Sequence, residues 1–158
     1  MTAHPNSAAK GAPHRHTLRV YYEDTDAAGV VYYANYLRFA ERARTEALRA
    51  LGIPHAEMVD RFGLMFVVRR VEVDYLRPAR IDDSLTVVTE ALAIGGASVV
   101  LRQDVQGTAG SCAVLRVRLA CVKPGEEKPA RLPPQWRQVL EAMLAERPAS
   151  VDSDTRPA

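Results

Sequence analysis

One long amphipathic helix, followed by several β-patterned runs and a single shorter helical stripe, sets the architecture of this chain. The helix begins near Tyr33–Asn35 and runs to Leu51. Tyr36, Phe39, Ala40, Ala43, Ala47, Leu48 and Leu51 recur at steps of three and four, which gathers them on one face. Arg38, Glu41, Arg42, Arg44, Glu46 and Arg49 supply the polar remainder. The small residues Ala40, Ala43 and Ala47 permit close approach to a neighbouring layer. Gly52 offers a left-handed stop and Pro54 prevents continuation. A helix with one apolar face needs a partner surface, and the rest of the sequence offers a sheet.

The first strand is expected over Arg15–Tyr22, with Leu18, Val20 and Tyr22 on one parity against Thr17, Arg19 and Tyr21. A short second helix is expected over 55–61. Met65–Tyr75 then places Val67, Val71, Val73 and Tyr75 on the side of Arg69, and Pro78 breaks the run. Ser84–Ile94 and Ala97–Val105 are joined through Gly95-Gly96, a hairpin turn. In Ser111–Val122, Leu115, Val117, Leu119 and Cys121 oppose Val114, Arg116, Arg118 and Ala120. A terminal helix over Pro134–Glu146 presents Trp136, Val139, Leu140, Met143 and Leu144, with Pro134 suited to its start. The expected plan is therefore α+β, with a mainly antiparallel five-stranded sheet covered by the long helix. Residues 1–14 and 147–158 lack periodicity and read as flexible tails. A single domain over 15–146 remains.

Composition narrows the function. Twenty-one Lys plus Arg against 19 Asp plus Glu gives a formal charge of +2, too balanced to point to nucleic acid. Lysine occurs only at Lys10, Lys123 and Lys128, so the cations are mostly arginines, which suit fixed contacts with phosphate or carboxylate. Cys112 and Cys121 are too few for a disulfide scaffold, and their odd spacing puts them on opposite strand faces. No run suits a transmembrane segment, and the N-terminus lacks a signal-peptide core. A cytoplasmic protein is expected.

Between first strand and long helix lies Glu23-Asp24-Thr25-Asp26-Ala27-Ala28-Gly29. Three acids within four residues are costly in a mere connector, although Asp and Gly are common in turns. Read from the residues alone, Asp26 is either a turn or capping carboxylate or a reactive one. The first-turn amides of the following helix are open donors, reinforced by the helix dipole.

The segment from Val20 to Tyr36, VYYEDTDAAGVVYYANY, strongly resembles the hotdog-fold acyl-CoA thioesterases. The match is closest to the 4-hydroxybenzoyl-CoA thioesterase-like family and its Tol-Pal-associated branch. It continues through Phe39–Arg44, Val67–Tyr75, Pro78–Asp83, Cys121-Val122 and Arg131–Pro133, and covers about residues 15–145. The resemblance implies a central helix wrapped by a five-stranded antiparallel sheet, a homodimer or homotetramer with sites between subunits, and hydrolysis of acyl-CoA. It implies no cofactor, coenzyme A being part of the substrate. It places the catalytic acid on Asp26 and an oxyanion-binding backbone N–H on Tyr33, with Tyr22 and Asn35 at neighbouring site positions. The Tol-Pal branch commonly carries His where this chain has Tyr33, whereas the hydroxybenzoyl pattern carries Tyr.

Arg69, Arg70, Arg77 and Arg80 are the candidate contacts for the coenzyme A phosphates, with a solvated sheet face as their plain structural reading. Tyr22, Tyr33, Tyr36, Phe62, Leu64, Met65 and Phe66 are the candidate acyl wall. Acyl groups on acyl carrier protein are the alternative substrate, and a noncatalytic acyl-CoA-binding scaffold is the alternative outside enzymology. A serine hydrolase fits poorly, because Gly96-Ala97-Ser98-Val99-Val100 lacks the second Gly of a nucleophile elbow. His14 and His16 lack the companions a metal site needs, so no metal is expected.

Overall fold

The computed structural model describes residues 12–126 and 128–145. The expected tails fall mostly outside that span. Five antiparallel strands, β1 (His14–Arg19), β2 (Met65–Tyr75), β3 (Ser84–Ile94), β4 (Ser98–Gly107) and β5 (Gly110–Val122), form one sheet in the order β1-β3-β4-β5-β2. The strands after the long helix thus fall close to where alternation puts them, and the first begins one residue early.

Helix α1 (Asn35–Ala50) lies across this sheet. Phe39, Ala40 and Ala43 are fully buried beneath it, with Leu85, Val87, Leu115 and Val117 among the core partners from the strands. Close approach has a direct signature. Gln103, fully buried on β4, donates from Nε2 to the Ala40 carbonyl at 2.9 Å and to Thr89 Oγ1 at 3.0 Å. Its Oε1 accepts Arg44 Nη1 at 2.9 Å, so the buried amide is satisfied by helix and sheet together. Gly52, at φ +82°, turns the chain out of α1 as expected.

Three single-residue bulges interrupt the described strands, one of them at Leu92 in β3, and two alter the expected placement of side chains. The β2–β5 register passes from Val68 to Arg70 while β5 advances one residue, which leaves Arg69 as the extra residue. Phe66 therefore faces the core before the bulge, whereas Val71 and Val73 pack on it afterwards. The expected common side of Val67, Val71 and Val73 does not hold. At the β4–β5 hairpin the extra residue is Cys112, and both Cys112 and Cys121 end in the core as free thiols. Their expected separation onto opposite faces is corrected for the same reason.

The first strand also stops short of Tyr22. Beyond Arg19 the backbone of Val20 pairs with the loop before β3, donating to Asp83 O and accepting from Asp82 N at 2.9 Å each. Val20 is buried, while Tyr22 enters a tight turn and is 83% exposed. After α1, short helical turns α2 (His55–Glu57) and Met58–Phe62 lead into β2. Helix α3 (Pro134–Glu141) ends before Glu146 because Met143–Ala145 leave it to bond the edge of β3: Ala91 N–H donates to Met143 O at 3.0 Å and Ala145 N–H to Ala91 O at 2.9 Å.

Candidate active site

The acidic loop folds back on itself into a narrow clasp that ends at the start of α1. Thr25 bridges Val31, Val30 bridges Arg80, and Tyr32 N–H donates to Asp24 O at 2.9 Å. Asp26 sits at the tip. Its backbone N–H donates to Val30 O at 2.9 Å, its carbonyl accepts from Gly29 N–H at 3.0 Å, and its Oδ1 accepts from Ala28 N–H at 2.9 Å. Gly29, at φ +77°, takes the left-handed conformation that closes this turn. Asp26 is exposed, and its Oδ2 has no partner among the described residues.

Asp24, two residues earlier, does a different job. It is only 6% exposed and both carboxylate oxygens are used. Oδ2 accepts Tyr21 N–H and Oδ1 accepts Asn35 Nδ2, each at 2.8 Å. One buried carboxylate thereby ties the entry of the loop to the first residue of α1. Through one N–H of its amide, given to Asp24, Asn35 holds loop and helix in register.

At the other end of the clasp, the backbone N–H of Tyr33 has no acceptor among the described residues. The expected helix opens near Tyr33; α1 starts at Asn35, so this unpaired donor stands two residues ahead of it, in the turn that leads in. The Tyr33 ring packs against Tyr32 at 4.8 Å and edge-on against Tyr75 at 6.2 Å between centroids. Tyr75 also packs on Tyr36 at 5.7 Å, and the Tyr36 hydroxyl accepts Ala79 N–H at 3.3 Å. Burial raises the phenol pKa of both Tyr36 and Tyr75. Val31, Tyr33, Tyr36, Tyr75, Leu76, Arg77 and Pro78 line an open cavity of about 300 Å³.

The structure divides the other candidates. Arg77 lines the tyrosine cavity, and Arg80 is bridged to Val30 with its N–H on Asp83 Oδ2 at 2.9 Å. Arg69 instead lines a separate groove with Ala97, Ser98, Arg118, Ala120 and Pro129, and Arg70 pairs with Glu72 at 2.8 Å. Of the expected acyl wall, Tyr33 and Tyr36 meet at the cavity. Phe62 and Phe66 pack on Trp136 at 5.2 and 5.6 Å, Leu64 is buried, and Tyr22 projects from its turn. Tyr75 was not singled out by sequence reasoning. Alternation already put Tyr75 on the side of Val71 and Val73, but nothing in the sequence signals that its hydroxyl reaches the start of α1.

Among the described residues, no cluster of His, Cys, Asp and Glu could hold a metal ion. The clasp carries a carboxylate with one free oxygen at its tip and an open backbone donor at its base, and Tyr33, which bears that donor, lines the tyrosine cavity. A carboxylate and an amide on two sides of a bound carbonyl are suited to acyl transfer: one activates or delivers the nucleophile, the other stabilises the oxyanion.

The same residues lie inside a family match. The thioesterase-like superfamily model aligns with residues 20–143. The acyl-CoA thioesterase YbgC of Haemophilus influenzae is 43% identical over 116 residues, covering 73% of this chain and 85% of that protein. The acyl-CoA thioester hydrolase YbgC of Escherichia coli is 45% identical over 121 residues, 75% of this chain and 89% of that protein. Among solved structures, a probable thioesterase from Bartonella henselae superposes with a TM-score of 0.74 at 38% identity, over 77% of this chain and 100% of that one. With helix and sheet arranged as described and both kinds of relative aligned along most of their length, the chain belongs to the thioesterase-like superfamily and has its hotdog fold.

Proposed function

We propose that this protein is an acyl-CoA thioesterase that hydrolyses its substrate to a free carboxylic acid and coenzyme A, with Asp26 and the Tyr33 N–H as its working pair. The observation that carries this reading is the clasp itself: Asp26 at the tip and an open amide at the base, with Asp24 and Asn35 locking the two segments together. The names of the YbgC relatives supply the substrate class.

A thioester needs little activation. The thiolate leaves more readily than an alkoxide, so the barrier lies mainly in forming the tetrahedral centre. Asp26 acts by one of two routes. Its carboxylate attacks the carbonyl carbon, expels the thiolate as an anhydride forms, and water then cleaves the anhydride. Alternatively it takes a proton from a water that attacks the carbon directly, and the proton passes to the departing sulfur. Both routes place negative charge on the carbonyl oxygen, where the Tyr33 N–H donates. The products are the same, one acid and one thiol per water consumed.

Arg77, at the tyrosine cavity, is the arginine of the four best placed to meet an anionic part of the substrate beside the acyl site. Arg69 and Arg70 contribute to phosphate recognition only if coenzyme A extends across β2. The reading includes assembly. Strand β2 forms one edge of the sheet, and Val68, Tyr75 and Leu76 are exposed on or just after it. Two copies joined along that edge would continue the sheet, give a homodimer and bring a second chain to the tyrosine cavity. No helix among the described residues is long and apolar enough to cross a membrane, and a cytoplasmic setting, where acyl-CoA is made, suits the reading.

The test is thiol release from hexanoyl-, palmitoyl- and benzoyl-CoA. Asp26→Asn is expected to lower turnover roughly 10²–10⁴-fold, with assembly and melting temperature unchanged. Turnover equal to that of the native protein on every substrate would reject the role of Asp26. Activity confined to acyl groups on acyl carrier protein would keep the chemistry and change the carrier.

A further inference from the structure

We infer that Tyr75 is a positioning residue for the oxyanion donor, acting through the carbonyl of Tyr33. The inference rests on the thioesterase reading above and adds a residue to it. The Tyr75 hydroxyl donates to Tyr33 O at 2.9 Å, from a strand more than forty residues away in sequence.

That bond falls where the helix leaves a gap. At the start of α1, Asn35 N–H donates to Tyr32 O at 2.8 Å and Leu37 N–H donates to Ala34 O at 3.2 Å. Both are three-residue steps, tighter than the four-residue step of a regular α-helix. They bypass the Tyr33 carbonyl, which receives the Tyr75 hydroxyl instead. If that hydroxyl were absent, Leu37 N–H could reach back one further residue to Tyr33 O and extend the regular helix. The extension would re-aim the turn at Tyr33, whose own N–H is the open donor. Tyr75 therefore opposes propagation of the helix into the site.

The surroundings support a fixed ring. Tyr75 packs edge-on against Tyr33 and Tyr36, and the three line one cavity. Its backbone belongs to β2, whose pairing with β5 carries through to Tyr75 opposite Ala113. The phenol is thus held by a paired strand and reaches from it to the turn at Tyr33. A group that holds a donor in place affects the transition state more than the ground state, because the oxyanion needs the donor more than the neutral carbonyl does.

The experiment compares the native protein, Tyr75→Phe and Asp26→Asn by thiol release from hexanoyl-CoA and benzoyl-CoA, with amide NMR spectra of the first two. Tyr75→Phe keeps the ring and its packing. It is expected to lower kcat roughly tenfold with KM within about twofold, and to shift the amide resonances of Tyr33 and Leu37 while that of Val117 stays in place. A purely structural hydroxyl would instead lower the melting temperature and leave the kcat of folded protein unchanged. Native kcat in Tyr75→Phe alongside a crippled Asp26→Asn would overturn this inference alone. Undiminished turnover in Asp26→Asn would remove the reaction on which it rests and overturn both.

Discussion

Two aromatic clusters stand apart in this molecule. Phe62, Phe66 and Trp136 form one, where α3 closes the core; Trp136 is fully buried and Phe66 is 9% exposed. Tyr33, Tyr36 and Tyr75 form the other beside the acidic loop, with Tyr33 and Tyr75 62% and 49% exposed. The rings meet at similar distances in both, edge-to-face except for the tilted pair Phe66–Trp136. The difference is in the hydroxyls. Those of Tyr36 and Tyr75 bond loop backbone, at Ala79 and Tyr33. The first cluster removes surface from water; the second shapes a site and fixes the peptides around it.

That contrast is broken most severely by truncating the buried cluster. Trp136→Ala is expected to destabilise the protein by about 3–5 kcal/mol in chemical denaturation, while kcat per folded molecule stays within about twofold. A large loss of kcat in the folded fraction would mean that the two clusters are coupled. A smaller effect tests the clasp that serves the tyrosine side. Asn35→Ala leaves the buried Asp24 carboxylate short of one donor and should cost about 1–3 kcal/mol. Because the loop loses its anchor to α1, kcat should also fall about tenfold. Stability loss with native kcat would show that the clasp only holds the fold.

The smallest expected effect lies away from both clusters. His14 on β1 has its pKa lowered, first by burial and then by His16, with Glu46 on α1 acting in the opposite direction. Its Nδ1 is buried without a partner among the described residues. A folded pKa below the ordinary imidazole value means that the unfolded chain binds more proton in that interval, so stability rises with pH there. The contribution is present above about pH 6.5 and is lost as pH falls through the lowered value. The melting temperature should drop by roughly 1–3 °C more between pH 7 and pH 5 in the native protein than in His14→Gln. Equal slopes would remove His14 as the cause.

Much of this was legible in the sequence, for identifiable reasons. Strands β2 and β3 run over the residues that alternation selects, and α1 stops at Gly52 because its stripe and its left-handed glycine agree. What alternation cannot register is an extra residue. The bulges at Arg69 and Cys112 reverse parity, and with it the placement of Val67 relative to Val71, Val73 and Tyr75 and of the two cysteines relative to each other. The spread of the candidate acyl wall has a related origin. Phe62 and Phe66 are apolar in the same way as Tyr36, and only the three-dimensional path of α3 assigns them to Trp136. Asp26 and Asp24 differ in role although they are two residues apart, because one caps a buried amide network and the other tops an exposed turn.

The central claim is that a substrate carbonyl lies between the Asp26 carboxylate and the Tyr33 N–H. A crystal structure with an acyl-CoA analogue whose thioester sulfur is replaced by CH₂ tests it most directly. The ketone oxygen should sit about 2.7–3.1 Å from Tyr33 N, with an Asp26 oxygen about 3–3.5 Å from the ketone carbon or one water away. A fully occupied analogue whose carbonyl is remote from both groups in every subunit would contradict the account.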